Sequence, residues 1–202
     1  MESLEKTTII WEGRFQPIQK GHISYIRRLL SYGSPVWIYL VDNELSIDVP
    51  ETQSPVPQFT KVVDHHHKSV KNPLAFWIRY QLLTATLRGE FGDRPDLFVW
   101  GGRRMDLHWS YVSSALPPRR RFLLSRKDEF EDAKAAAFGA LGETVERIED
   151  LDGPDFRATD FRAAVRSNAP IDEFLSPHTM RALEEMQLVE EFYSCMQESF
   201  SR

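Results

Sequence analysis

Apolar and polar positions along the chain fall into blocks whose period changes from two to about 3.6. Residues 7–12 begin with Thr7, Thr8, Ile9, Ile10 and Trp11, a β-branched and aromatic run that predicts a strand ended by Gly13. Residues 21–32 take helical spacing, with Ile23, Ile26, Leu29 and Leu30 on one face and Arg27 and Arg28 turned away. Residues 35–41 read Pro-Val-Trp-Ile-Tyr-Leu-Val, the composition of a strand covered on both faces in a parallel sheet. Residues 74–89 return to helical spacing through Leu74, Trp77, Ile78, Gln81, Leu82 and Leu87, with Gly89 near the stop. A third strand is predicted over 96–100, ending in Gly101-Gly102, and a short helix over 105–115 that Pro117-Pro118 breaks. Strands at 120–125 and 144–148 flank an Ala-rich helix at 128–141. Helices are expected over 158–167 and 177–198. The second carries a stripe of Met180, Leu183, Met186, Leu188, Val189, Phe192 and Met196, read as core or a helix–helix contact.

The interval 42–72 breaks the rhythm. Four prolines lie between positions 50 and 73, and no clear period runs through it. A long loop or lid is expected there, with a short strand or turn around Phe59–Val63. His65, His66 and His67 follow Asp64 and suggest a metal at first sight. Neighbouring side chains in an extended segment point in opposite directions, which argues against one ion held by all three. An exposed loop, a lid or an acceptor-binding role remain open for them.

Strands and helices alternate through the first 150 residues. That order predicts a single α/β domain over 1–202, a Rossmann-like parallel sheet flanked by helices, with a C-terminal helical segment. Such folds bind ligands at the carboxyl ends of their strands. Gly13–His22 and Trp100–Asp106 both occupy that kind of position.

Composition narrows the function. With 202 residues and 42% hydrophobic content, the chain can bury a real core. A formal net charge of -5 is unlike a strongly basic nucleic-acid binder, so no nucleic-acid partner is expected. The single cysteine, Cys195, excludes an internal disulfide and a Cys-based zinc cluster, and fits a reducing compartment. No stretch reaches about 18 continuous apolar residues, and the first residues do not form a leader pattern. The expectation is a cytoplasmic protein with no membrane partner; a homo-oligomer stays open.

The first strand end has the clearest chemistry. A glycine after a strand permits close backbone approach, and the next helix offers unpaired N–H groups at its start. Those donors and the helix dipole favour a phosphate. Arg14, Lys20 and His22 add side-chain donors, although Gly21 and His22 are also compatible with tight packing and an ordinary cap. The run Gly13-Arg14-Phe15-Gln16-Pro17-Ile18-Gln19-Lys20-Gly21-His22 resembles the opening motif GRFQPxHxGH of the nucleotidylyltransferase superfamily, nearest to its nicotinamide-mononucleotide adenylyltransferase branch. The resemblance implies a Rossmann-like fold and a nucleotide site lined by Gly13, Arg14, Phe15, Gln16, Gln19 and Gly21. It implies that His22 contacts the phosphates and stabilises the transition state, with Lys20 able to reach phosphate beside it. Gln19 stands where the pattern has its first histidine. Glutamine donates hydrogen bonds but cannot become cationic.

A second match is partial. Phe156-Arg157-Ala158-Thr159-Asp160-Phe161-Arg162 resembles the family's Ile-Ser-x-Thr-x-x-Arg helix start, with Thr159 and Arg162 at the threonine and arginine and Arg157 at the serine. The resemblance implies that this helix start binds the β- and γ-phosphates; an ordinary capped helix is the alternative. Asn72-Pro73-Leu74 resembles the Asn-Pro-Phe stretch that precedes a helix in archaeal-type members. Arg79 follows as a candidate for the acceptor. At the third strand end, Gly101 and Gly102 could admit the nucleotide, and Trp100, Arg103 and Arg104 the acceptor, with a solvated basic turn as the alternative. Trp109 and Trp11 could stack on a ring, although core packing is the usual fate of tryptophan. Arg119, Arg120 and Arg121 read as a solvated rim or an extra anion contact.

Together these imply transfer of NMP, with ATP as donor and a phosphorylated small molecule such as nicotinamide mononucleotide as acceptor, and Mg²⁺ carried by the triphosphate. His22, Lys20 and Arg162 are the expected catalytic residues, and no protein metal site is expected. The alternatives are a cytidylyltransferase using CTP with a phosphorylated small molecule or phosphonate, and a nucleotide-binding regulator without turnover.

Overall fold

In the computed structural model the described residues are 6–42, 72–105, 107–149 and 158–198, apart from the side chains at 158, 159, 195, 197 and 198. The bulk of the 42–72 interval, including His65–His67 and the expected strand near Phe59–Val63, lies outside them, as do Asp106, Phe156 and Arg157.

Five strands form the sheet: β1 (Thr8–Gly13), β2 (Val36–Asp42), β3 (Leu97–Arg103), β4 (Arg120–Ser125) and β5 (Val145–Ile148). Their order is β3-β2-β1-β4-β5, and every neighbouring pair is parallel. Between them run the helices α1 (Lys20–Ser31), α2 (Phe76–Phe91), α3 (Trp109–Ala115) and α4 (Glu129–Ala140). After β5 come α5 (Ala158–Arg166), α6 (Pro177–Glu185) and α7 (Val189–Glu198). This is the expected Rossmann-like α/β fold with a C-terminal helical segment.

The period-two pattern of the strands explains the two layers. Ile9, Trp11, Ile38, Leu40 and Leu123 point to one face and are covered by α1 and α2 through Ile26, Leu29, Leu83 and Leu87. Ile10, Tyr39, Val41, Phe122 and Leu124 point to the other and meet Val112 of α3 and Phe138 of α4. A third cluster lies outside α2, where Leu74, Ile78 and Leu82 pack against Phe161, Val165, Leu183, Phe192 and Met196 of the C-terminal helices. Gly89 makes that contact close: a Cβ there would fall 2.4 Å from the His178 ring.

The long helix expected over 177–198 is two helices. Gln187 takes a left-handed φ of 55°, and the Leu188 amide turns back to donate to the Leu183 carbonyl at 3.0 Å. This closes α6 without a glycine or proline to announce it.

The strand order fixes the site. The chain walks outward from β1 to β3 on one side, then crosses back to place β4 beside β1 on the other. The switch point is therefore between β1 and β4, and the crevice lies beyond their carboxyl ends. The loops 14–19 and 126–128 flank it.

Candidate active site

The loop after β1 is shaped by its own side chains. Phe15 sits at a φ of 46°, and its ring folds back so that a Cβ on Gly13 would lie 2.9 Å away. Glycine is required at position 13 for that contact. Phe15 is buried and meets the edge of the His22 ring at 5.1 Å and Trp11 at 5.3 Å. Phe15 thus props the histidine from within the core. Gln16 is also turned inward: its Oε1 accepts from the Leu74 amide at 3.0 Å, and its Nε2 donates to the Leu74 carbonyl at 3.4 Å.

Arg79, expected to bind the acceptor, has a different place. It is only 1% exposed, and Nε donates to the Leu74 carbonyl at 3.0 Å. Its Nη1 donates to the carbonyls of Arg14 and Val41 at 2.8 and 2.9 Å, and the guanidinium lies over the Phe76 ring. A buried guanidinium directed at three backbone oxygens holds the ends of β1 and β2 to the start of α2. It supports the site from behind.

Lys20 also departs from the expected geometry. Its Nζ donates to the Asp172 carbonyl at 2.6 Å, and its backbone N–H donates to the Phe174 carbonyl at 2.8 Å. The first donor of α1 is therefore spent on the C-terminal segment. Gly21 is open, with nothing within 4 Å of a Cβ built on it.

His22 carries the tautomeric information. The Gln19 backbone N–H donates to His22 Nδ1 at 3.0 Å, so Nδ1 keeps its lone pair and the ring proton belongs on Nε2. The crowding of protein round the ring pushes its pKa down to about 4, and the charges of Lys127 and Arg14 push the same way. At neutral pH His22 is an uncharged donor. Gln19 is 2% exposed, and its Nε2 is buried without a hydrogen-bond partner among the described residues.

Cations surround this turn. Burial lowers the Arg14 guanidinium to about 10, helped by the charge of Arg162 and opposed by Glu12, Glu131 and Asp128. Arg14 also donates to Asn72 Oδ1 at 3.4 Å and lies over the Phe130 ring. Arg162, on α5, is lowered by burial and then by Arg166. Arg14, His22, Lys127 and Arg162 therefore act on a shared space at the switch point. Thr159 lies in the first turn of α5, one turn before Arg162.

Two contributors had little sequence signal. Lys127 follows β4 at its carboxyl end, the positional cue that flagged 100–106, but it lacks a motif. Lys134 on α4 is fully buried between Glu12 at 3.2 Å and Glu131 at 3.0 Å. Burial pulls its pKa down, yet Glu131 and Glu12 outweigh that and leave it raised. The acidic pair is thereby neutralised beneath Arg14.

The expected acceptor set does not assemble as one site. Gly101 faces Leu40: a Cβ would lie 2.6 Å from the Leu40 carbonyl oxygen and 2.9 Å from the Phe76 ring, so packing fills the space a nucleotide would need. Trp100 lies edge-on to Tyr39 at 5.2 Å and Trp37 at 6.4 Å. Arg104 is 2% exposed. Trp109 packs against Phe122 and Phe138 beneath the Arg120 guanidinium. Arg103 stays exposed over the Tyr111 ring. Arg120 and Arg121 pair with Glu143 and Glu146 at the opposite end of β4 from the crevice.

No family model and no curated protein matches this sequence. Solved structures do match it. Two structures of a bifunctional NMN adenylyltransferase/ADP ribose pyrophosphatase from Francisella tularensis superpose with TM-scores of 0.60 and 0.62, at 15% and 16% identity. The first is complexed with AMP and a manganese ion. They cover 95% and 94% of this chain, which spans about half (52%) of theirs. A protein assigned as a nicotinate-nucleotide adenylyltransferase from Vibrio parahaemolyticus superposes at 0.56 with 17% identity, covering 93% of this chain and 95% of its own. The chain shares the fold of these adenylyltransferases. No helix among the described residues is long and apolar enough to cross a membrane.

Proposed function

We propose that this chain transfers an adenylyl group from ATP to a phosphate-bearing small molecule such as nicotinamide mononucleotide, releasing pyrophosphate. The observation that carries the reading is the gathering of Arg14, His22, Lys127 and Arg162 at the β1/β4 switch point, beside the starts of α1 and α5. A triphosphate fits such a space by charge, and the fold's adenylyltransferase relatives include one complexed with AMP. The buried Gln19 Nε2 adds an amide donor still in need of an acceptor.

The acceptor phosphate attacks the α-phosphorus in line, and the bond to the β-phosphate bridging oxygen breaks. The nucleophile is already ionised, so no general base is required. Catalysis then consists of positioning and charge stabilisation. His22 Nε2–H would donate to the oxygen on which charge develops. Arg14 and Arg162 would hold the triphosphate from its two sides, with Thr159 adding a hydroxyl. Magnesium belongs to the substrate, carried by the triphosphate, where it neutralises the departing pyrophosphate. Among the described residues no group of three or more His, Cys, Asp or Glu is placed to hold a metal ion.

The test is a matrix of ATP and CTP against phosphorylated acceptors with Mg²⁺, read by pyrophosphate release and product mass. The reading expects pyrophosphate and an adenylylated product in equal amounts. Nucleotide binding without pyrophosphate across the whole panel would favour a regulator instead.

A further inference from the structure

We infer that Lys20 is a positioning residue for Arg162, tying the C-terminal helical segment to the start of α1 so that Arg162 faces the same space as Arg14 and His22. The inference rests on the nucleotidylyl-transfer reading for its functional consequence, and on the contacts of one turn for its structure.

Lys20 is the first residue of α1, and both its donors go to a single turn more than 150 residues away. The backbone N–H takes the Phe174 carbonyl at 2.8 Å, and Nζ takes the Asp172 carbonyl at 2.6 Å. That turn is itself firm. The Phe174 and Leu175 amides donate to the Ile171 carbonyl at 3.0 and 3.1 Å, and Ile171 and Leu175 are buried. Ser176 then caps α6 by accepting from the Thr179 amide at 3.2 Å.

From the turn the connection to Arg162 is one contact long. The Phe174 ring meets Phe161 edge-to-face at 5.8 Å. Phe161 is fully buried, precedes Arg162 on α5, and is also packed by Phe192 of α7 at 6.1 Å. Arg162 in turn bears electrostatically on Arg14. Lys20 therefore fixes the turn, the turn fixes Phe161, and Phe161 fixes the helix that carries Arg162. A charge-assisted bond to a carbonyl gives this link more strength than a neutral one. The C-terminal helices keep their own cluster with α2, so loss of the Lys20 ammonium alone leaves the segment folded.

A lysine that touched the triphosphate directly would behave differently from one that acts through Arg162, and a mutant cycle separates the two. Lys20→Met, Lys20→Arg, Arg162→Ala and the Lys20→Met/Arg162→Ala double variant would be titrated calorimetrically with inorganic tripolyphosphate. Lys20→Met is expected to weaken binding by about tenfold, and Lys20→Arg to restore most of it. In the Arg162→Ala background Lys20→Met should add no more than about twofold. Fully additive losses would overturn the inference. A second arm needs no ligand. Hydrogen exchange of ligand-free Lys20→Met should speed up across 160–175 while the five strands keep their wild-type protection, and unchanged exchange there would overturn the tether. Wild-type protein that binds neither tripolyphosphate nor ATP would defeat the transfer reading, and the exchange arm would still decide the tether.

Discussion

The ends of β1 and β3 look alike in sequence and differ in space. Each is a strand running into glycine and arginine at the carboxyl edge of a parallel sheet. After β1, Gly21 opens onto empty space and the basic groups stay near one another. After β3, Gly101 is pressed against Leu40 and Phe76, Gly102 against the Tyr39 hydroxyl at 3.3 Å, and Arg104 is buried. The Tyr39 hydroxyl donates to the Arg103 carbonyl at 2.6 Å and closes that end of the sheet further. A glycine beside a strand end thus marks close approach in both places, but the approaching group is protein in one and is left for a ligand in the other. What decides is the switch point: β1 and β4 diverge in their connections and leave a crevice, while β3 is an edge strand whose end is packed by α2.

The contrast can be broken most forcefully at His22. Replacing it with Ala should cut turnover by about 10²–10³, because a donor aimed at developing charge is lost. Steady-state kinetics showing unchanged turnover would remove His22 from the chemistry. Its protonation gives the next effect. The folded pKa near 4 lies below the unfolded 6.5, so between those values the unfolded chain binds more protons. His22 therefore costs no stability above pH 6.5 and withdraws up to about 3 kcal/mol as pH falls to 4. Urea melts at pH 7 and 4.5 should show a smaller acid loss in His22→Gln than in the wild type.

The glycines sharpen the comparison at smaller cost. Gly101→Ala should destabilise the fold by about 1–3 kcal/mol through overpacking. Gly21→Ala should raise stability by up to about 1 kcal/mol through helix propensity while weakening ATP binding. Thermal melts and calorimetry on the two variants would show opposite patterns, and unchanged ATP affinity in Gly21→Ala would mean that the open space is not the nucleotide's seat. The smallest change is expected from Gln19→His, which should preserve or raise turnover. Complete loss in a folded variant would assign Gln19 a role of its own.

The fold was legible because it is written in local periods. All five strands and the helices α1 to α5 follow from runs of a few residues, and the split between α6 and α7 was hidden because Gln187 adopts a left-handed backbone that its residue type does not signal. The site was legible only where it is contiguous. Gly13–His22 could be found because its residues are neighbours in the chain. Arg79 could not be assigned, since its partners Arg14 and Val41 are 65 and 38 residues away and only the fold makes it a buried clamp. Lys127 and Lys134 depend on the crossover that sets β4 beside β1. Lys20 sits inside the recognisable string, yet its partners come from the far end of the chain.

The central claim is that a nucleotidyl group moves and pyrophosphate leaves. Its most direct measurement uses ATP labelled at the α-phosphorus in one reaction and at the γ-phosphorus in another, with nicotinamide mononucleotide as acceptor and Mg²⁺ present. The account predicts that the α-label ends in the acceptor product and the γ-label in pyrophosphate, in equal amounts, and that His22→Ala slows both together. A γ-label found on the acceptor would contradict it, as would an α-label that remains in ATP across the full panel of phosphorylated acceptors.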